Sequence, residues 1–142
     1  MKNIFIYVFC LISFNLSAAD IYVNSSGASG TFNTLNGAIL AANDGDRIIV
    51  STLMNLIEDV TINKSVTITS ATSGSSFVLN GTMTIEAVAN KEIRLIGAVL
   101  DELSFTSGTA TDATACKVYL IDSQVATNIN TTVTGLSLNL MY

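Results

Sequence analysis

Three acidic groupings are the residues of this 142-residue chain whose type and spacing could do chemistry: Asp44-Gly45-Asp46, Glu58-Asp59 and Asp101-Glu102. Clustered carboxylates can ligate a hard cation such as Ca2+. Two carboxyls on either side of a sugar linkage are the machinery of glycoside hydrolysis. Each grouping also has a plainer reading. Asp44-Gly45-Asp46 makes a tight turn if Gly45 takes positive φ and an acid supplies the cap. Glu58-Asp59 and Asp101-Glu102 fall where turns are expected, with no basic neighbour on the same face, and are read as solvated turns. No two acids fall on one face of adjacent expected strands. The expectation is therefore no catalytic residue, no metal ligand set and no cofactor, with Ca2+ at Asp44-Gly45-Asp46 as the alternative.

The nucleophiles are as sparse. The chain has two cysteines and no histidine. Cys10 lies in an amino-terminal apolar segment, so Cys116 is left without a disulfide partner and without an imidazole to activate it. A buried, inert thiol is expected there.

The elements that position these groups can be read from periodicity. In "FNTLNGAILAANDGDRIIV", Phe32 to Val50, the first half repeats on a helical period and the second is an apolar run. Leu35, Ala38, Ile39 and Ala42 make one apolar face, opened by Thr34 as an N-cap. So short a helix is marginal alone and must dock its stripe on something. Gly37 weakens it further. Beyond Val50 the pattern is of short apolar segments at similar intervals: Val66-Thr67-Ile68-Thr69, Ile93-Arg94-Leu95-Ile96, Val118-Tyr119-Leu120-Ile121 and Leu136-Ser137-Leu138-Asn139. A second set lies between them, with Gly81-Thr82 aligned on Gly108-Thr109. An irregular period in the twenties with a single strand type predicts a coiled solenoid of about four to five coils. The rival is a β-sandwich, which needs hairpin turns. Asn-Gly occurs only at Asn36-Gly37, inside the helix, and at Asn80-Gly81.

The ends and the composition add limits. Lys2 precedes an apolar core from Ile4 to Leu16 and then the small residues Ser17-Ala18-Ala19, the pattern of a secretory signal cleaved after Ala19. The apolar run is short of the ~20 residues a spanning helix needs. The expectation is a signal peptide at 1–19 and one solenoid domain at 20–142, with its helix at about 32–43, secreted or displayed at the cell surface. Net charge is −5 and only 12% of residues are charged, which makes nucleic acid and anionic membrane poor partners. The chain stops at "GLSLNLMY", a strand of the repeat with no cap after it. A shortened member of a longer family is expected, with end-to-end pairing of two copies as the alternative.

The stretch "FNTLNGAILAANDGDRIIV" with "EDVTINKSVTITSA" resembles the amino-terminal start of right-handed parallel β-helix proteins, the pectate-lyase-like superfamily. The resemblance rests on Phe32, Thr34-Leu35, Ala38-Ile39, Ala41-Ala42, Gly45-Asp46, Ile48 to Val50, Val60-Thr61-Ile62 and Lys64-Ser65-Val66-Thr67-Ile68. It covers about Asp20 to Ser70. Gly37 within the helix and Ala71-Thr72-Ser73-Gly74 in place of a Gly-Gly turn depart from it. It implies an all-β, right-handed solenoid whose short amino-terminal α-helix covers the open end of the first coil.

On such a coil the four matched segments give one outer surface. With Val66, Ile93, Val118 and Leu136 stacked inside, Thr67, Arg94, Tyr119 and Ser137 stack outside. Arg94 over Tyr119 would be a cation–π contact, and Glu92 over Lys117 an ion pair. This column is the expected binding face. The function expected is an exported, non-catalytic module recognising a polysaccharide or another cell-surface component. The alternatives are a polysaccharide lyase- or hydrolase-like enzyme or its remnant, and ice binding through the Thr-x-Thr motifs at Thr67-Thr69, Thr82-Thr84, Thr109-Thr111 and Thr132-Thr134.

Overall fold

A computed structural model describes residues 18–52, 54–107, 116–133 and 136–141. The expected signal peptide at 1–19 therefore lies almost wholly outside the described residues, as do Thr109-Thr111 and Thr134. The described chain is a parallel β-solenoid of about five turns with one short helix.

Each coil runs along one sheet, turns a corner, and returns along the other. The first sheet holds β1 (Asp20–Val23), β2 (Thr31–Phe32), β3 (Arg47–Val50), β6 (Val66–Ser70), β8 (Glu92–Ile96), β10 (Lys117–Ile121) and β12 (Ser137–Met141). Its seven strands lie in the order β12-β10-β8-β6-β3-β1-β2, every pair parallel. The second sheet stacks β4 (Asn55–Ile57), β7 (Phe77–Ala87), β9 (Ala98–Ser107) and β11 (Gln124–Thr131), while β5 (Val60–Ile62) also pairs with β7. Parallel neighbours far apart in sequence are what a coil makes and a hairpin sandwich does not.

Alternation puts β-branched and leucine side chains in register inside. One column runs Ile21, Ile48, Ile68, Leu95, Leu120 and Leu140. Across the core, Leu56, Leu79 and Leu100 stack, as do Ile62, Ile85 and Phe105. All six are buried, each contributing on the order of 1.5–3 kcal/mol.

The helix α1 (Leu35–Ala41) sits over the first coil. Leu35, Ala38, Ile39 and Ala42 are buried, as their spacing predicted. Thr34 is the N-cap, its hydroxyl accepting from the Gly37 amide at 3.1 Å. Gly37 has a reason the sequence did not disclose. A Cβ there would stand 2.9 Å from the Thr34 hydroxyl and 3.3 Å from the Phe32 ring, so the cap and the ring occupy its space.

Two alignments differ from expectation. Tyr119 pairs with Asn139 and Val118 with Leu138, so the last rung is shifted by two residues. Alternation fixes which face a residue takes, not which partner it meets, and a slip of two keeps every face. In the second sheet, Thr82 pairs with Glu102 and Met83 with Leu103, so Gly81-Thr82 aligns on Asp101-Glu102 and not on Gly108-Thr109. The cause is a bulge: Asn80 and Gly81 together oppose the single residue Asp101, and Ala126 and Thr127 do so from the next rung. Asp101-Glu102 is accordingly within β9, not in a turn.

Candidate functional site

The acidic groupings bind the chain's own backbone. Asp46 is buried, and its carboxylate accepts from the Asn43 amide at 2.7 Å and the Ala19 amide at 2.8 Å. Those two donors hold its pKa below the ordinary carboxylate value. Asp44 accepts from Lys91 and from the Ser65 amide, and is lowered for those reasons in that order. Between them Gly45 takes φ +93, the turn its sequence predicted.

Glu58 is not a solvated turn residue. Its carboxylate accepts from the first two amides of the helix, Leu35 at 2.7 Å and Asn36 at 3.1 Å. At the other end Lys64 donates to the carbonyl of Ala42 at 2.8 Å and more weakly to that of Leu40. An anion at the N-terminus and a cation at the C-terminus both complement the helix dipole. Asp59 takes the Thr82 amide at 2.7 Å, tying the turn to the bulge above it. In β9, Asp101 accepts from Thr127, and Glu102 from Asn130. Among the described residues no three His, Cys, Asp or Glu side chains converge as a metal cluster would require. Cys116 is fully buried, and burial raises its thiol pKa.

The expected binding column is assembled in part. Outward residues stack as Asp20, Arg47, Thr67, Arg94, Tyr119 and Asn139 over successive rungs. Thr67, Arg94 and Tyr119 are thus brought together. The Arg94 guanidinium lies 5.2 Å from the centre of the Tyr119 ring. Ser137 is not among them. It faces Lys117 in the neighbouring column, and Asn139 takes its place above Tyr119. Glu92 pairs with Arg94 on its own strand, at 2.6 Å, instead of with Lys117. Residues two apart share a face, and the guanidinium offers the fork a carboxylate prefers. At the first rung Asp20 holds Arg47 through two bonds of 2.9 and 2.7 Å.

Beside this polar column runs a second outward column that is mostly apolar: Tyr22, Ile49, Thr69, Ile96, Ile121 and Met141. It lies next to the corner between the sheets. That corner takes one residue, Gly97, between β8 and β9, and two, Asp122 and Ser123, between β10 and β11, but six, Ala71 to Ser76, between β6 and β7. The longer loop forms one wall of an open groove of about 690 Å3. Gly97 lets the loop approach: its φ is +67, and a Cβ would meet the Ser75 carbonyl at 2.6 Å. The Ser75 amide, bonded to the Thr72 carbonyl at 3.1 Å, makes the loop a turn, and the Thr72 hydroxyl accepts from Thr52 at 2.9 Å. Sequence reading missed this groove. Its only signal was the small, polar "SATSGSSF" run, which exceeds what a corner needs.

Among the described residues the Thr-x-Thr motifs do not form one array. Thr67 and Thr69 belong to the first sheet and Thr82 and Thr84 to the second, and Thr67 lies between two arginines. Comparison of the chain with family models, with curated proteins and with solved structures gives no match.

Proposed function

We propose that the chain is an exported, non-catalytic recognition module of the pectate-lyase-like superfamily, which holds a polysaccharide or another cell-surface component on the outer face of its seven-stranded sheet. The observation that carries this reading is the Arg94–Tyr119 stack in the polar column. It presents a planar, amphipathic platform with fixed polar neighbours, of the kind on which a sugar ring rests. The acids that could have supplied catalysis are engaged with backbone amides and side chains of the coil.

Affinity electrophoresis against a panel of soluble polysaccharides tests the reading. Tyr119→Ala should weaken binding about tenfold, the equivalent of ~1.4 kcal/mol and within the range for an aromatic platform. A panel on which the native protein migrates unretarded overturns it. Incubation with polyuronates, with and without Ca2+, addresses the lyase alternative, for which unsaturated product is the decisive signal. Thermal hysteresis would support ice binding.

A further inference from the structure

We propose that the groove under the Ala71–Ser76 loop is a sugar subsite for an uncharged glycan. This rests on the carbohydrate reading above and adds both a place and a ligand class. The floor is apolar, built from the outward faces of Ile49 and Ile96 with Val99 across the corner. The wall is hydroxyl-bearing, with Thr72, Ser73 and Ser75 along the loop. A pyranose ring has the same division, apolar C–H faces and a rim of hydroxyls. Each Ser or Thr hydroxyl can both donate and accept, as a sugar hydroxyl can.

Charge selects among glycans. Among the described residues Arg47 is the only cation lining the groove, and Asp20 already occupies it with two hydrogen bonds. The other charged lining residue is Asp122, an anion. The chain as a whole carries −5. Within the groove a polyuronate or sulfated chain would meet no free cation among the described lining residues, and a repulsive field from the net negative chain, whereas a neutral chain meets neither obstacle. The groove also runs across the rungs, beside Arg94 and Tyr119, so one extended glycan can occupy both.

The test uses uncharged glucan, mannan and xylan oligosaccharides, with oligogalacturonate as the anionic comparison, in calorimetry at low and high salt. The variants are Ser73→Trp, which fills the groove from an exposed loop position, and Tyr119→Ala. Gln124→Trp, from the opposite rim, replaces Ser73→Trp if the latter does not melt like the native protein. A neutral oligosaccharide that binds independently of salt, and at least tenfold more weakly to the groove-filling variant, is the expected result. Loss through Tyr119→Ala alone, with the groove-filling variant unaffected, overturns the subsite and leaves the wider reading standing. So does a preference for oligogalacturonate that salt abolishes. Binding of no saccharide at all overturns both.

Discussion

Asp46 illustrates how a residue that could have been catalytic is instead committed to the chain. It is 4% exposed and accepts the Asn43 amide, a bond that cleavage after Ala19 leaves in place, and in the uncleaved chain the Ala19 amide as well. Bonds to a charged acceptor are worth on the order of 1.5–3 kcal/mol each side of removal, so Asp46→Ala should lower unfolding free energy by about 2 kcal/mol in a urea titration. The same geometry sets a pH dependence. Asp44 and Asp46 both have folded-state pKa values below the ordinary 3.8. Their stabilisation is fully present above that value and is lost as pH falls through the depressed values. Melting temperature should therefore be flat from neutral pH to about 5 and fall below 4, less steeply in Asp46→Ala. The role of Gly45 was legible, since a turn between a helix and a strand needs positive φ. Those of Glu58 and Lys64 were not. Their partners are helix amides and carbonyls more than twenty positions away, and no local pattern reports which backbone groups a coil will bring beneath a side chain.

At the scale of elements, α1 depends on both packing and caps. Its seven residues are too few to be stable alone, and its buried stripe was the clearest feature of the sequence. The caps come from the coil it covers, and Gly81 couples them to the bulge. At φ +148, a Cβ on Gly81 would stand 2.3 Å from the carbonyl oxygen of Glu58. Gly81→Ala must move either the bulge or the turn that carries Glu58, and should cost about 3 kcal/mol, a typical sum of backbone strain and displaced contacts. Glu58→Ala, which removes only the cap, should cost about 1 kcal/mol. Urea unfolding of the two variants distinguishes them. A Gly81→Ala protein as stable as Glu58→Ala would mean that the backbone contact yields freely. Helix, strands and alternation were readable because each is a local period. Rung partners and corner lengths were not, because a two-residue slip or a six-residue corner leaves the period intact. This is why Ser137 was placed beside Tyr119, and why the groove went unseen.

The described coils are asymmetric along their axis. At one end the helix closes the first coil, with Leu35 and Ile39 buried. At the other, β11 and β12 are the outermost strands of their sheets. Their inward columns are only partly covered: Ile129 is 46% exposed and Leu140 50%. From Ser123 to Tyr142 the sequence contains no charged residue, so the edge lacks the lysines and inward charges by which sheet edges resist pairing. Solenoid stability is a sum of nearest-neighbour terms, and the rung with one neighbour opens first. Amide exchange should thus be graded. Ile68 and Leu95, each between two paired strands, should be protected near the global limit, and Leu138 to Met141 by far less. Leu140→Lys should leave the melting temperature nearly unchanged, because the side chain is already half exposed, while suppressing any concentration-dependent association seen by light scattering. Slow exchange through β12 in a protein that stays monomeric would mean that this edge is covered in solution. Uniform exchange along the axis would mean that the coils unfold as one cooperative unit, and that the helix stabilises all of them and not only the first.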